Sequence, residues 1–195
     1  MTEHKDLVLL MLTDNWNDWE PSYAAAVIHS FSDYTVSTIA VDKAPKQSMG
    51  GLSTEVTYGI ADFAEWDRLA LVILPGGLSW EQHRYEEIAD FIRQTTKARI
   101  PVAAICGATL FLCRHGFLNQ IRHTGDSLEQ FLEQPEYTGK DLYQNAQVVF
   151  DGNIITANET AAVEFAYRIF KLLEIDSEEE LDLWYRNFRY GAVSQ

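Results

Sequence analysis

A cysteine stands between small residues in the stretch AAICGAT, residues 103–109, where an apolar run meets a helix-like segment. The pattern small-x-Cys-x-small has the layout of a nucleophile elbow, a sharp turn that lifts the central side chain above the sheet. The helix N-terminus offers unpaired N–H groups and the positive end of its dipole, which favour a thiolate of lowered pKa at Cys106. The N–H of Gly107 is positioned to bind an oxyanion. The alternative is a buried structural cysteine in an ordinary turn.

Two other segments carry side chains that could act beside this cysteine. Glu20, in DWEP, follows the first apolar run. Its carboxyl group is a candidate general acid or base, and the alternative is a helix cap or surface acid. Asn158 and Glu159, in ANET, follow a later strand-like run. Both are candidate substrate contacts, with helix capping as the alternative for Asn158.

Strand-like and helix-like segments alternate along the chain, which predicts an α/β fold with a mainly parallel sheet. Ligands of such sheets bind beyond the carboxyl ends of the strands. The run DLVLLML is continuously apolar, as expected of a strand buried on both faces. Predicted strands are 6–12, 35–41, 68–74, 100–105 and a hairpin around Asp151-Gly152. Predicted helices are 21–31, 79–97, 107–116, 126–134 and 160–175.

The composition limits the classes of function. The length of 195 residues suits one domain, predicted as 1–176, followed by an aromatic extension at 177–195 that packs on the domain or on a dimer partner. The formal net charge of −14, without a basic cluster, disfavours nucleic acid and membrane surfaces as partners. The first residues do not read as a signal peptide, so we expect a cytoplasmic protein with free thiols at Cys106 and Cys113.

Motifs for metals, dinucleotides and nucleoside triphosphates are absent from the sequence. The histidines are scattered and do not have the spacing of a metal site. We therefore expect neither a metal nor a cofactor.

Three segments together resemble the ThiJ/PfpI superfamily, which has the class I glutamine amidotransferase-like fold. They are DNWNDWE (14–20), LPGG (74–77) and AAICGAT (103–109), and the resemblance extends over about residues 5 to 174. It implies a flavodoxin-like three-layer α/β/α sandwich and a homodimer. It also implies a reactive Cys106, a partner carboxylate at Glu20 and backbone donors at Gly77 and Gly107. Gly76, in the same loop as Gly77, is a further candidate substrate contact.

The sequence departs from the superfamily pattern next to the cysteine. The peptidase branch has a histidine directly after it, and Gly107 stands there instead, which disfavours a protease. Other branches supply a histidine from a later segment. His123 is the nearest candidate, although the superfamily spacing points to Thr124.

These observations favour a cysteine-dependent enzyme that acts on a small carbonyl or amide substrate. The reaction is a hydrolysis, an amido transfer or an α-oxoaldehyde hydration, with Cys106 as nucleophile and Glu20 and His123 moving protons. The first alternative is a non-catalytic redox or stress sensor in which the Cys106 thiolate is oxidised. The second is a binding module that retains only the fold.

Overall fold

The computed structural model describes residues 5–192, so the start of the predicted domain 1–176 and the end of the predicted extension 177–195 lie outside the described residues. The strands within this range are β1 (Leu7–Met11), β2 (Thr35–Ala40), β3 (Lys46–Gln47), β4 (Ser53–Thr54), β5 (Tyr58–Gly59), β6 (Leu69–Leu74), β7 (Val102–Ile105), β8 (Val148–Asp151) and β9 (Ile154–Ala157). The α-helices are α1 (Trp19–Phe31), α2 (Ser79–Gln82), α3 (Glu86–Lys97), α4 (Gly107–Arg114), α5 (Leu128–Leu132), α6 (Ala162–Leu173) and α7 (Glu178–Tyr190).

Seven strands form the central sheet in the order β5-β2-β1-β6-β7-β9-β8. Every pairing in it is parallel except that of β8 with β9, the hairpin predicted around Asp151-Gly152. Strands β3 and β4 form a separate small ribbon. The predicted mainly parallel sheet is therefore confirmed.

The side chains of β1 show how the sheet is covered on both faces. Leu7, Leu9 and Met11 pack with the core residues of α3 and α4. Val8 and Leu10 point to the opposite face and pack with residues of α1 and α6. All five are buried, because successive strand residues point to opposite faces and helices cover each face. The result is the predicted three-layer sandwich.

The predicted helix 79–97 is wrong as a single element, since the structure has α2 and α3 separated at residues 83–85. Tyr85 adopts a left-handed backbone, with φ of 51°. Its ring packs against Trp80, with centroids 5.4 Å apart, and the Trp80 indole N–H donates to the carbonyl of Pro75. Tertiary burial of these rings breaks a segment whose local pattern favours one helix.

Helix α7 packs on its own chain. Its N-cap is Ser177, whose side chain accepts a hydrogen bond from the N–H of Glu180. Trp184 meets Phe170 of α6 edge to face at 4.8 Å, and Tyr185 stacks on Tyr167 at 4.7 Å. Trp184 and Tyr185 thus pack on α6, whereas Phe188 and Tyr190 stay more than half exposed.

None of the described helices combines the length and the apolar character needed to span a membrane.

Candidate active site

The carboxyl ends of β1, β6, β7 and β9 lie at one edge of the sheet, and the residues that follow them converge there. Glu20 comes from the start of α1, Gly76 and Gly77 follow β6, Cys106 follows β7, and Glu159 follows β9. The parallel pairing of these strands produces the convergence.

Cys106 occupies the turn between β7 and α4 with a positive φ of 55° and a ψ of −132°. Non-glycine residues rarely adopt this conformation, so the surrounding structure must hold it. The Cys106 N–H donates to Ala157 in β9, and its carbonyl accepts bonds from the N–H and hydroxyl of Thr109. The side chain is partly exposed. This is the elbow geometry that the small-x-Cys-x-small pattern predicts.

The loop after β6 approaches the cysteine too closely for any side chain at Gly76. A Cβ there would lie 2.6 Å from the Cβ of Cys106, 2.7 Å from Oε2 of Glu20 and 2.9 Å from Sγ. Gly77 has a φ of 144°, and a Cβ on it would meet the carbonyl of Asn15 at 2.5 Å. Both glycines are therefore required by backbone geometry at the site.

Replacing Gly76 by alanine (Gly76→Ala) will destabilise the fold by about 1–3 kcal/mol, because the new methyl group must displace Cys106 or Glu20. Urea unfolding measures this loss. The control is Gly59→Ala, where the added Cβ would lie an ordinary 3.6 Å from Lys43 and the stability should hardly change. Equal stabilities of the two variants would contradict the close packing at Gly76.

Glu20 is fully buried beside Cys106. It accepts hydrogen bonds from the Gly76 N–H at 2.6 Å and from Nδ2 of Asn17 at 2.7 Å, and it is in hydrogen-bond contact with the thiol. Burial raises the pKa of Glu20 from 4.5 to about 7, against the lowering effect of these hydrogen bonds. The carboxyl group can therefore hold a proton close to neutral pH.

Asn17 is a site residue that the sequence did not indicate. Its Nδ2 also lies 3.7 Å from the Cys106 sulfur, so one carboxamide contacts both the thiol and Glu20. Its Oδ1 is buried and has no hydrogen-bond partner within residues 5–192. A rotation of the amide would offer this oxygen to the hydroxyl of a protonated Glu20.

The ionisation of Glu20 makes stability depend on pH. Below pH 4.5 the carboxyl group is protonated in both the folded and the unfolded chain. As the pH rises through 4.5 towards 7, the unfolded chain loses this proton first, so the folded state loses stability until its own group ionises. Because the folded-state pKa is raised, the loss occurs with rising pH.

The glutamine of Glu20→Gln cannot ionise, so this variant will not lose stability in that pH range. Its free energy of unfolding relative to wild type should rise by about 2–3 kcal/mol between pH 5 and pH 8, since one pKa unit corresponds to about 1.4 kcal/mol. Urea unfolding at the two pH values measures the change. Glu87→Gln, the same change at an exposed position of α3, should keep the wild-type pH dependence. A constant difference between Glu20→Gln and wild type would contradict the raised pKa.

Asp126 is a second carboxylate beside the thiol and was also missed by the sequence analysis. It precedes Ser127, the N-cap of α5, and its Oδ1 accepts a hydrogen bond of 2.7 Å from the N–H of Glu159. The carboxylate is in hydrogen-bond contact with the Cys106 thiol. Desolvation in the cleft and the charges of Glu159 and Glu81 raise the pKa of Asp126, against the hydrogen bonds it accepts.

The expected lowering of the Cys106 pKa is wrong for the resting site. Burial raises this pKa, and the charges of Glu20 and Asp126 raise it further. The N–H of Gly107 acts in the opposite direction as predicted, but it is outweighed. The resting side chain is consequently a neutral thiol held between two carboxyl groups.

His123 does not meet Cys106, and its predicted role as a proton-transfer partner is not supported. It is fully buried, its Nε2 bonds the Tyr137 hydroxyl and its Nδ1 the carbonyl of Ile121, both at 2.8 Å. With both ring nitrogens engaged in the core, it has none left for the thiol. Thr124, the position to which the superfamily spacing points, donates its hydroxyl to the carbonyl of Ala146.

Asn158 and Glu159, the two predicted substrate contacts after β9, have different surroundings. Asn158 is used locally, since its Oδ1 accepts bonds from the N–H and hydroxyl of Thr160, as a turn before α6 requires. Glu159 is exposed at the mouth of the site. Ligand atoms of Cys106, Asp126 and Glu159 lie within 4.8 Å of one another, so one cation could contact all three. No spacing in the sequence indicates that these three residues lie together.

Comparison with known proteins agrees with this architecture. The DJ-1/PfpI family profile matches residues 6–172. Uncharacterized protease YdeA of Bacillus subtilis (strain 168) is 33% identical over 184 residues, 94% of this chain and 91% of YdeA. Uncharacterized protease YoaZ of the same organism is 32% identical over 187 residues, 92% of this chain and 89% of YoaZ.

Solved structures of similar proteins have the same fold. A thiJ/pfpI family protein from Bacillus anthracis superposes with a TM-score of 0.89 at 30% identity, over 98% of this chain and 93% of that one. A DJ-1 superfamily protein from Agrobacterium tumefaciens superposes with a TM-score of 0.86 at 29% identity, over 94% of this chain and 100% of that one. The chain therefore belongs to the DJ-1/PfpI family.

Proposed function

We propose that the protein is a cysteine-dependent enzyme that acts on the carbonyl carbon of a small amide or α-oxoaldehyde. The observation that carries this proposal is the constrained Cys106 turn, with φ of 55°, in which the thiol contacts the carboxyl groups of Asp126 and Glu20. A strained, partly exposed nucleophile with a proton acceptor in contact is the arrangement that covalent catalysis needs.

The first step forms a covalent adduct. The sulfur of Cys106 attacks the carbonyl carbon, the π electrons of the carbonyl move to its oxygen, and the thiol proton passes to Asp126. The N–H of Gly107, which lies against the sulfur, and that of Gly77 bind the negative oxygen. Asp126 replaces His123 of the sequence-based hypothesis as the proton acceptor.

The adduct of an amide then loses its amine, which takes the proton back from Asp126. Water hydrolyses the thioester that remains and restores the thiol. An α-oxoaldehyde forms a hemithioacetal by the same first step. Glu20, with a pKa of about 7, holds a second proton beside the sulfur during these changes.

The test is turnover of a panel of α-oxoaldehydes and small amides, with mass spectrometry of the peptide that carries Cys106. The proposal predicts turnover of at least one class and a trapped adduct on Cys106 but not on Cys113. Turnover without an adduct, or no turnover at all, contradicts it. Stoichiometric oxidation of Cys106 by peroxide in the absence of turnover would favour the redox-sensor alternative.

A further inference from the structure

We propose that the substrate carries a positive charge next to its reactive carbon, and that Asp126 and Glu159 recognise this charge. The inference rests on the proposed function and names the substrate class of the same site. Primary ammonium and guanidinium groups fit the two carboxylates, because both cations donate several hydrogen bonds.

The charged groups around the sulfur are negative. The charged neighbours that act most strongly on Cys106 are Glu20 and Asp126, both carboxylates. Those that act on Asp126 are Glu159 and Glu81, again carboxylates. Within residues 5–192, neither Asp126 nor Glu159 forms an ion pair with a cationic side chain. The negative charge at the mouth is therefore left uncompensated.

The carboxylates and the sulfur are close enough to contact one small molecule together. An oxygen of Asp126, an oxygen of Glu159 and the Cys106 sulfur lie within 4.8 Å of one another. A cation bound between the two carboxylates thus places the adjoining carbon of the same molecule next to the sulfur. Recognition and reaction would take place within one small cleft.

An unsatisfied polar side chain also contacts the sulfur. Asn17 is only 4% exposed, its Nδ2 lies 3.7 Å from Sγ, and its Oδ1 has no hydrogen-bond partner in the described part of the chain. Because Oδ1 is itself buried, a donor reaches it only after the amide rotates, and a bound ammonium or guanidinium group supplies such a donor.

A positive charge between Asp126 and Glu159 would also lower the raised pKa of the Cys106 thiol. The carboxylate charges contribute to keeping Cys106 neutral in the resting site. A cation between Asp126 and Glu159 offsets those charges and favours the thiolate, and Glu159 keeps the ion pair when Asp126 takes the thiol proton. The substrate that binds would thus help to ionise its own nucleophile.

The test uses three methanethiosulfonate reagents that differ in charge: trimethylammonioethyl (cationic), methyl (neutral) and sulfonatoethyl (anionic). The thiolate attacks the sulfenyl sulfur of each, forms a mixed disulfide and releases methanesulfinate. The ratio of cationic to anionic rate constants reports the local charge, because the thiolate fraction cancels in it. Modification of Cys106 is followed by mass spectrometry with EDTA present, so that no metal ion covers the carboxylates.

We expect the cationic reagent to be favoured at least about tenfold over the anionic one, relative to the same ratio for glutathione. Glu159→Gln should reduce this preference several-fold, and added salt should reduce it in wild type. Asp67→Asn is the control, since it removes the same charge from an exposed position before β6, at the opposite edge of the sheet. It should leave the preference unchanged.

A preference equal to that of glutathione, or one that falls equally in Glu159→Gln and Asp67→Asn, would overturn the inference. This readout does not require turnover, so it is separate from the test of the proposed function. A second measurement compares kcat/KM for glycinamide and acetamide. Turnover that is equal for the two amides would overturn the substrate class while leaving the proposed function in place.

Discussion

Cys106→Ser will lower turnover at least about 1,000-fold, because a serine hydroxyl in this site lacks the nucleophilicity that a thiol gains when a neighbouring carboxylate removes its proton. Serine is slightly smaller than cysteine and can adopt the same backbone, so the fold should be retained. Turnover of the best substrate of the panel, with circular dichroism of the variant, measures both effects.

The matched control is Cys113→Ser. Cys113 is fully buried in α4, where its thiol faces the carbonyl of Phe131. A serine Oγ lies closer to its Cβ than Sγ does, so it will stay beyond hydrogen-bond distance of this carbonyl and cost some stability, but turnover of the folded variant should be unchanged. If Cys106→Ser retained turnover, the proposed enzyme would need another nucleophile and the account of the elbow would fail.

Asp126→Asn will lower turnover by about 100- to 1,000-fold, which is the usual contribution of a positioned general base. Asparagine keeps an oxygen that can accept the hydrogen bond from Glu159, so the loop should stay in place. What the variant loses is the ability to take the thiol proton.

A readout of the thiol itself separates this role from a structural one. Removing the Asp126 charge lowers the pKa of Cys106, so alkylation by iodoacetamide at pH 8 should become faster while turnover becomes slower. Asp67→Asn serves again as the control and should change neither rate. Parallel losses of alkylation and turnover would indicate a distorted site and contradict the proton-transfer role.

The fold could be predicted because its pattern is local and repeated. A continuously apolar run such as DLVLLML needs cover on both faces, and the alternation of strands with helices then leaves few arrangements. The turn at Cys106 was predictable for the same reason, since small neighbours mark a close approach of backbone. The break at Tyr85 was not, because it depends on where Trp80 is buried.

The partners of Cys106 could be predicted only in part. Glu20 came from the resemblance to the ThiJ/PfpI superfamily, whereas Asn17 and Asp126 lie in loops whose side-chain directions no spacing rule gives. His123 and Asp126 belong to the same loop, but His123 is buried where the loop pairs with Tyr143, whereas Asp126 is exposed at the cleft. The signal available for Asp126 was a second titratable residue three positions after His123, at the start of a helix.

The pH dependence of Cys106 alkylation by iodoacetamide in wild type and Glu20→Gln will show whether the carboxyl groups control the thiol. We expect a wild-type midpoint above the free-cysteine value of about 8.5, because burial and the carboxylates raise the pKa of Cys106. The midpoint in Glu20→Gln should be lower, because this substitution removes one of those charges. A wild-type midpoint below that of free cysteine, or one unchanged by the substitution, would contradict the control of the thiol by its carboxyl neighbours.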